Sequence, residues 1–264
     1  MADVVHSIEA RGLGMRVGSQ AIVAPLDMTW HAGKVSAILG PNGAGKSSLL
    51  SMLSLERKPS AGALSFNSRP AGNYKSTEMA KFRAVMPQAT QVAFDFKVHE
   101  VVGLGRYPHR LQPSTDEALI TPRAMALTQV DHLAHRTFNT LSGGEKARVP
   151  LARCLAQIWE PTPAQGSRWL LLDEPTASLD LAHQQAVMLT VRRWALERGV
   201  GVIAVLHDLN LALRFADQVL VLQEGRCAAS GAATTTLTPA LIAQVWGVDC
   251  QLTQRADASP YLLI

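Results

Sequence analysis

GPNGAGKSS, residues Gly40–Ser48, stands between an apolar run, KVSAILG, and a run with apolar residues at helical spacing, KSSLLSMLSLE. A strand, a glycine loop and a helix in that order, with G-x-x-x-x-G-K-S at the junction, is the pattern that cradles phosphate. Glycines let backbone N–H groups approach phosphate oxygens, and the helix start adds partial positive charge. The candidate cradle is therefore Gly40, Pro41, Asn42, Gly43, Ala44, Gly45, Lys46, Ser47 and Ser48. In it Lys46 reaches the β- and γ-phosphates and Ser47 is a candidate Mg²⁺ ligand.

Further along, RWLLLDE carries Asp173 to the C-terminal end of an apolar strand, where open α/β sheets bind ligands. Asp173 is a candidate metal ligand, directly or through water. Glu174 follows at once and is placed to orient or deprotonate an attacking water, the positioning that phosphoryl transfer demands. Gln88 comes after the strand-like FRAVMP and is a candidate for touching the metal or the water. His207 ends GVIAVLH and is a candidate γ-phosphate contact.

A second helix start with anion-binding features lies at LSGGEKARVPLARC, Leu141–Cys154. Ser142 is a helix cap, Gly143 and Gly144 follow, and Glu145 completes a capping box. Pro150 sits about two turns inside. It removes one donor and presses on the Lys146 carbonyl, at a cost of about 3 kcal/mol. The expectation is a local kink with the N-terminal turn preserved.

Apolar strand runs alternate with helical runs along most of the chain, which argues for a mainly parallel sheet. The first part reads as short strands and turns. From about Val98 to Trp159 the texture turns helical, as in HEVVGLGR and PRAMALTQVDHL, and WEPTPAQGSR closes it as a loop. A helix is expected over Leu181–Arg198, a late strand at VLVLQEGR and a short helix at TPALIAQVWG; Thr253–Ile264 is assigned no role.

The 264 residues are 47% hydrophobic and 17% charged, a globular composition with a net charge of +4. No apolar run is long enough for a membrane span, and the N-terminus lacks the basic start and apolar stretch of a secretion signal. The chain is expected to stay in the cytoplasm. Cys154, Cys227 and Cys250 are scattered without metal-ligand spacing, as suits reduced thiols.

In order, the phosphate loop, the Gln88 loop, LSGGE, LLLDEP, Ser178–Asp180 and His207 resemble the motifs of an ATP-binding cassette (ABC) ATPase over nearly the whole chain. The resemblance implies an α/β phosphate-loop fold with a mainly parallel core sheet, an N-terminal antiparallel β subdomain and an inserted helical subdomain. One domain would span 1–264, with the insertion at 98–160. It also implies ATP and Mg²⁺ as cofactors and a sandwich of two copies. In that sandwich Ser142, Gly143 and Gly144 meet the γ-phosphate held by the other copy, and Asp180 lies at the same interface.

MPQATQVAFDFKVHEVVGLGRYPHR, LARCLAQIWEP and LHDLNLALRFADQVLVLQEGR further resemble ATPases of bacterial importers for haem, ferric siderophores and cobalamin, with haem (hemin) importers nearest. The implied partners are transmembrane permease subunits and, through them, a periplasmic binding protein. The implied place is the cytoplasmic face of the inner membrane. A siderophore or cobalamin importer, or a soluble cassette serving iron–sulfur assembly, stands as the alternative. One cassette with no coiled coil or basic arm argues against a nucleic-acid partner. Where such proteins stack an aromatic ring on adenine, this sequence offers Met15 and Arg16.

Lys46→Ala is expected to abolish ATP binding, because the phosphates lose their cation. Calorimetric titration with ATP checks this, and an unchanged affinity removes the phosphate-loop assignment.

Overall fold

The computed structural model describes residues 6–88, 94–161, 166–255 and 259–264. Two long strands, β1 (Ser7–Val17) and β2 (Gln20–His31), begin the described chain, and β3 (Val35–Leu39) runs into the glycine loop and α1 (Lys46–Leu53). Strands β4 (Ala61–Phe66) and β5 (Arg69–Pro70) follow, and α2 (Ser76–Phe82) leads directly into β6 (Arg83–Met86). The next stretch is helical: α3 (Val98–Gly103), a 3₁₀ turn (Leu104–His109), α4 (Glu117–Leu127) and α5 (Gly143–Gln157). Then strands and helices alternate: β7 (Trp169–Asp173), α6 (Leu181–Arg198), β8 (Gly201–Val205), α7 (Leu209–Phe215) and β9 (Gln218–Gln223). β10 (Arg226–Ala232), α8 (Ala233–Thr236), α9 (Pro239–Trp246) and a hairpin of β11 (Gln251–Gln254) and β12 (Pro260–Leu263) end the chain.

The core sheet has the order β10-β9-β3-β8-β7-β6. Its pairings are parallel except at the β10 edge, where β10 runs against β9. β3, β7 and β8 are apolar along their length because both faces of such a sheet are covered. The two-residue period divides the side chains: Val35, Ala37 and Leu39 face the cluster that holds α5 and α6, while Ile38 faces α1 and the antiparallel sheet. That second sheet, β2-β1-β4-β5, turns Leu26, Met28 and Trp30 of β2 inward at alternate positions.

Parallel pairing brings the C-terminal ends of β3, β6, β7 and β8 to one edge of the sheet. The loops that leave there carry Gly40–Ser47, Gln88, Glu174 and His207. α6 occupies the span expected from its sequence. α4 starts earlier than the apolar run implied, at Glu117, and takes Pro122 into its interior. The tail is ordered into the β11–β12 hairpin, and Leu262 is buried in the main core. α5 runs unbroken through Pro150, whose ring is buried. No helix among the described residues is long and apolar enough to cross a membrane. Part of the loop before β7 (162–165) and part of the stretch after Gln88 (89–93) lie outside the described residues.

Gly201 lets β8 lie against the fully buried indole of Trp169. A Cβ on Gly201 would sit 2.2 Å from a ring carbon. Gly201→Ala is expected to overpack this contact and lower stability by about 1–3 kcal/mol in urea unfolding.

Candidate nucleotide site

The glycine loop owes its shape to contacts no side chain would tolerate. Gly40 has φ 145°, and a Cβ there would lie 2.1 Å from the Leu222 carbonyl oxygen of β9. Gly45, with φ 94°, closes on the Ile22 carbonyl of β2 and starts α1 without a side-chain cap. The first N–H groups of α1 therefore face the loop, as an anion requires. Lys46 is buried, and its Nζ donates to the Gly40 and Pro41 carbonyls, 2.9 Å from each. Burial lowers its pKa, against the opposing pull of Glu174 and Asp173.

Beside the loop, Ser47 Oγ donates to Asp173 Oδ1 at 3.1 Å. Burial raises the Asp173 pKa, while the Ser47 hydrogen bond works the other way. A hydroxyl and a carboxylate oxygen side by side are hard donors of the kind Mg²⁺ takes along with phosphate oxygens. Asp173 and Ser47 thus fit the metal-ligand role read from their sequence positions, and Gln88 lies near enough to share the cavity wall.

Glu174 is the meeting point. One of its carboxylate oxygens accepts from Gln88 Nε2 at 3.0 Å, and the other lies 2.7 Å from His207 Nε2. The three side chains come from loops after β6, β7 and β8, separated by 86 residues between Gln88 and Glu174 alone. Glu174 has φ 51°, left-handed for a residue with a Cβ, a conformation that costs about 1–3 kcal/mol. From this backbone the carboxylate reaches both Gln88 and His207.

These groups line one cavity of about 530 Å³, with Asn42, Gly43, Ser48 and Ile22 in its wall. Ala44 is buried behind the loop. Met15 and Arg16 are not among the residues that line this cavity. Met15 is 4% exposed and packed in the second core cluster, and Arg16 turns its guanidinium to the Ser19 carbonyl at 2.6 Å. Ile22 faces the cavity instead. Its neighbour Val23 points into the core although Ile22 shares the parity of Leu26, Met28 and Trp30, because the pairing of β1 and β2 shifts register between Leu26 and Val23; simple alternation in the sequence does not reveal this.

Ser142, Gly143, Gly144 and Asp180 do not line this cavity. The capping box at α5 is formed: Glu145 Oε2 accepts from Ser142 N at 2.8 Å, and Ser142 Oγ from Glu145 N at 3.4 Å. A Cβ on Gly143 would meet nothing within 4 Å, and one on Gly144 only Leu179 and Ser178, at 3.9 Å. Packing among the described residues therefore does not call for glycine here. Asp180 caps α6 by accepting from His183 N at 2.9 Å, and these hydrogen bonds hold its carboxyl below the usual range.

A phosphate loop at the head of a parallel sheet, with a carboxylate pair at the end of a neighbouring strand, defines a nucleoside triphosphatase. The sequence pattern of the ABC transporter family matches residues 23–177, and the chain belongs to that family as an ATP-binding ATPase. It is 46% identical over 260 residues to the hemin import ATP-binding protein HmuV of Myxococcus xanthus, covering 98% of this chain and 96% of that one. To the protein of the same name from Escherichia coli O157:H7 it is 41% identical over 258 residues, covering 97% and 99%. Its fold matches the dimeric, ADP- and phosphate-bound cassette MJ0796 with a TM-score of 0.74 at 22% identity, over 86% of this chain and 98% of that one.

Gly40→Ala is expected to displace the loop from Leu222 and weaken ATP binding by about tenfold or more, since strain of 1–3 kcal/mol falls on the bound geometry. Titration with a fluorescent ATP analogue measures it, with circular dichroism to confirm the fold.

Proposed function

We propose that this chain is the ATP-hydrolysing subunit of an importer that carries haem (hemin) across the bacterial inner membrane, working from its cytoplasmic face. The observation that carries the hydrolytic reading is the Glu174 carboxylate held between Gln88 and His207 at the cavity that Lys46 lines. The likeness to hemin import proteins over nearly the whole chain supports the cargo.

In the reaction, backbone N–H groups of the glycine loop and the Lys46 ammonium bind the β- and γ-phosphates. Ser47 and Asp173 would hold Mg²⁺, with Gln88 beside them, and the ion would supply charge neutralisation on the phosphates. Glu174 orients the attacking water and takes its proton. His207 steadies Glu174 and contacts the γ-phosphate, and Ile22 supplies an apolar contact at the cavity wall.

Two copies sandwich two ATP molecules. Ser142, Gly143 and Gly144 of each copy meet the phosphate bound by the other, with Asp180 beside them. The open space around Gly143 supports this, because an anion-type helix start whose glycine has open space beside it among the described residues suits a ligand brought by another copy. The helical segment 98–160 acts as a subdomain within one domain of 1–264. A groove of about 490 Å³ between α2 and the Leu104–His109 turn, with Tyr107 and Leu111 exposed, suits a permease segment; the periplasmic binding protein acts through that permease.

The cargo is tested with the complex that a tagged copy draws from detergent-solubilised membranes, reconstituted in liposomes. Haem-loaded binding protein is expected to raise ATP turnover above the empty form. Stimulation by ferric siderophore or cobalamin instead replaces haem as cargo, and failure to recover any permease removes the importer reading. Glu174→Gln is expected to bind ATP, turn over at least about a hundredfold more slowly, and accumulate as an ATP-bound dimer in size-exclusion chromatography.

A further inference from the structure

The turn Leu104–His109 has two working sides. Tyr107 and Pro108, with Arg110 and Leu111 just beyond, line the groove proposed above for the permease. The residues between them point the other way, onto the C-terminal end of α5. Gly105 lies so close that a Cβ would sit 2.3 Å from the Arg153 carbonyl oxygen. Arg106, 7% exposed, donates from Nη1 to the Ala156 carbonyl at 2.8 Å, while Nε and Nη2 grip both oxygens of Glu117 at 2.8 Å each. His109, also 7% exposed, donates from Nε2 to the Gln157 carbonyl at 2.8 Å.

An α-helix leaves its last carbonyls without intrahelical partners and carries partial negative charge there. Here the turn supplies those partners, and a guanidinium stands at the negative end. The Gln157 amide then donates to the Ala80 and Arg83 carbonyls at 2.8 and 3.0 Å, at the junction of α2 and β6. β6 leads to Gln88. The C-terminal end of α5 is therefore clamped from the groove side and tied to the strand that delivers a residue of the hydrolytic cluster. The other end of α5, fifteen residues or about 22 Å away, presents Ser142–Gly144.

We propose that Arg106 and His109 are positioning residues for the nucleotide site of the opposite copy. By gripping the far end of α5 they set where Ser142, Gly143 and Gly144 stand against the partner's ATP. This rests on the two-copy reading above. It assigns Gly105, Arg106 and His109 to the inward clamp and Tyr107 and Pro108 to the outward face of one turn.

The test separates a chain's own site from its partner's. His109→Leu removes the donor without adding charge, and His109→Gln keeps an N–H at similar reach. His109→Leu is expected to bind ATP with unchanged affinity and to lose at least about tenfold in kcat, since small displacements of reacting groups cost that much; His109→Gln is expected to retain turnover. Differently tagged His109→Leu and Lys46→Ala chains are then co-expressed and the mixed pair is isolated. That pair has one intact composite site, formed by the phosphate loop of the first and the α5 start of the second. It is expected to recover about half of the wild-type turnover. A control pair of Ser142→Arg with Lys46→Ala reports on the sandwich itself. Recovery in the control but not in the His109→Leu pair overturns the proposal, because the defect then lies in that chain's own site. No recovery in either pair overturns the two-copy reading and this proposal with it. Wild-type kcat for His109→Leu overturns the proposal directly.

Discussion

Parallel pairing of β3, β6, β7 and β8 is the constraint on which the site depends. Strands that run the same way deliver their following loops to the same edge, however far apart they lie in the chain. That places the glycine loop, Gln88, Glu174 and His207 around one cavity. The edge is held in register by apolar layers on both faces, the helices on one side and the antiparallel sheet on the other. The antiparallel sheet also closes over the loop: the Ile22 carbonyl limits the space at Gly45 and at Gly225. The loop is thus wedged between β2 and β9, and its conformation is a property of tertiary packing as much as of its glycines.

Much of this was legible because strong local signals coincided with the required topology. GPNGAGKSS between a strand and a helix, LLLDE at a strand end, and the eighteen residues of α6 all carry their meaning locally. What escaped was set by distant contacts. β10 is built of RCAASGA, whose small and partly exposed residues give no alternation; it is a strand because β9 offers it an edge. β11 is exposed throughout, and its hairpin is tied down from outside: the Asn210 amide pairs with the Leu262 backbone in both directions, at 3.0 and 2.8 Å. Ile22 reaches the cavity wall only because the pairing of β1 and β2 shifts register beside it, a feature that position along the chain does not reveal. For Gln88, Glu174 and His207 the motif order suggested a shared task, while their hydrogen-bonding distances follow only from the folded sheet.

α5 is finished at both ends by side chains. Ser142 and Glu145 close its start, and Arg106, His109 and Arg168 take up carbonyls at and just beyond its end, the last bonding to Ile158 and Trp159 at 2.8 and 2.7 Å. Such end fixing offsets the donor lost at Pro150 and explains how a helix with an interior proline remains continuous. A helix fixed at both ends in this way is held between the groove beside Tyr107 and its own capped start at Ser142.

The left-handed backbone of Glu174 has a consequence for how this sequence drifts. A residue with φ 51° is more comfortable as glycine or asparagine, so the acid sits where the fold alone would choose otherwise. Stability and chemistry pull this one position in opposite directions. If Glu174 serves the proposed water, substitutions that relax the backbone there would leave a sturdier, inert protein, and a degenerate copy released from selection for turnover would be expected to lose the carboxylate before it loses the fold.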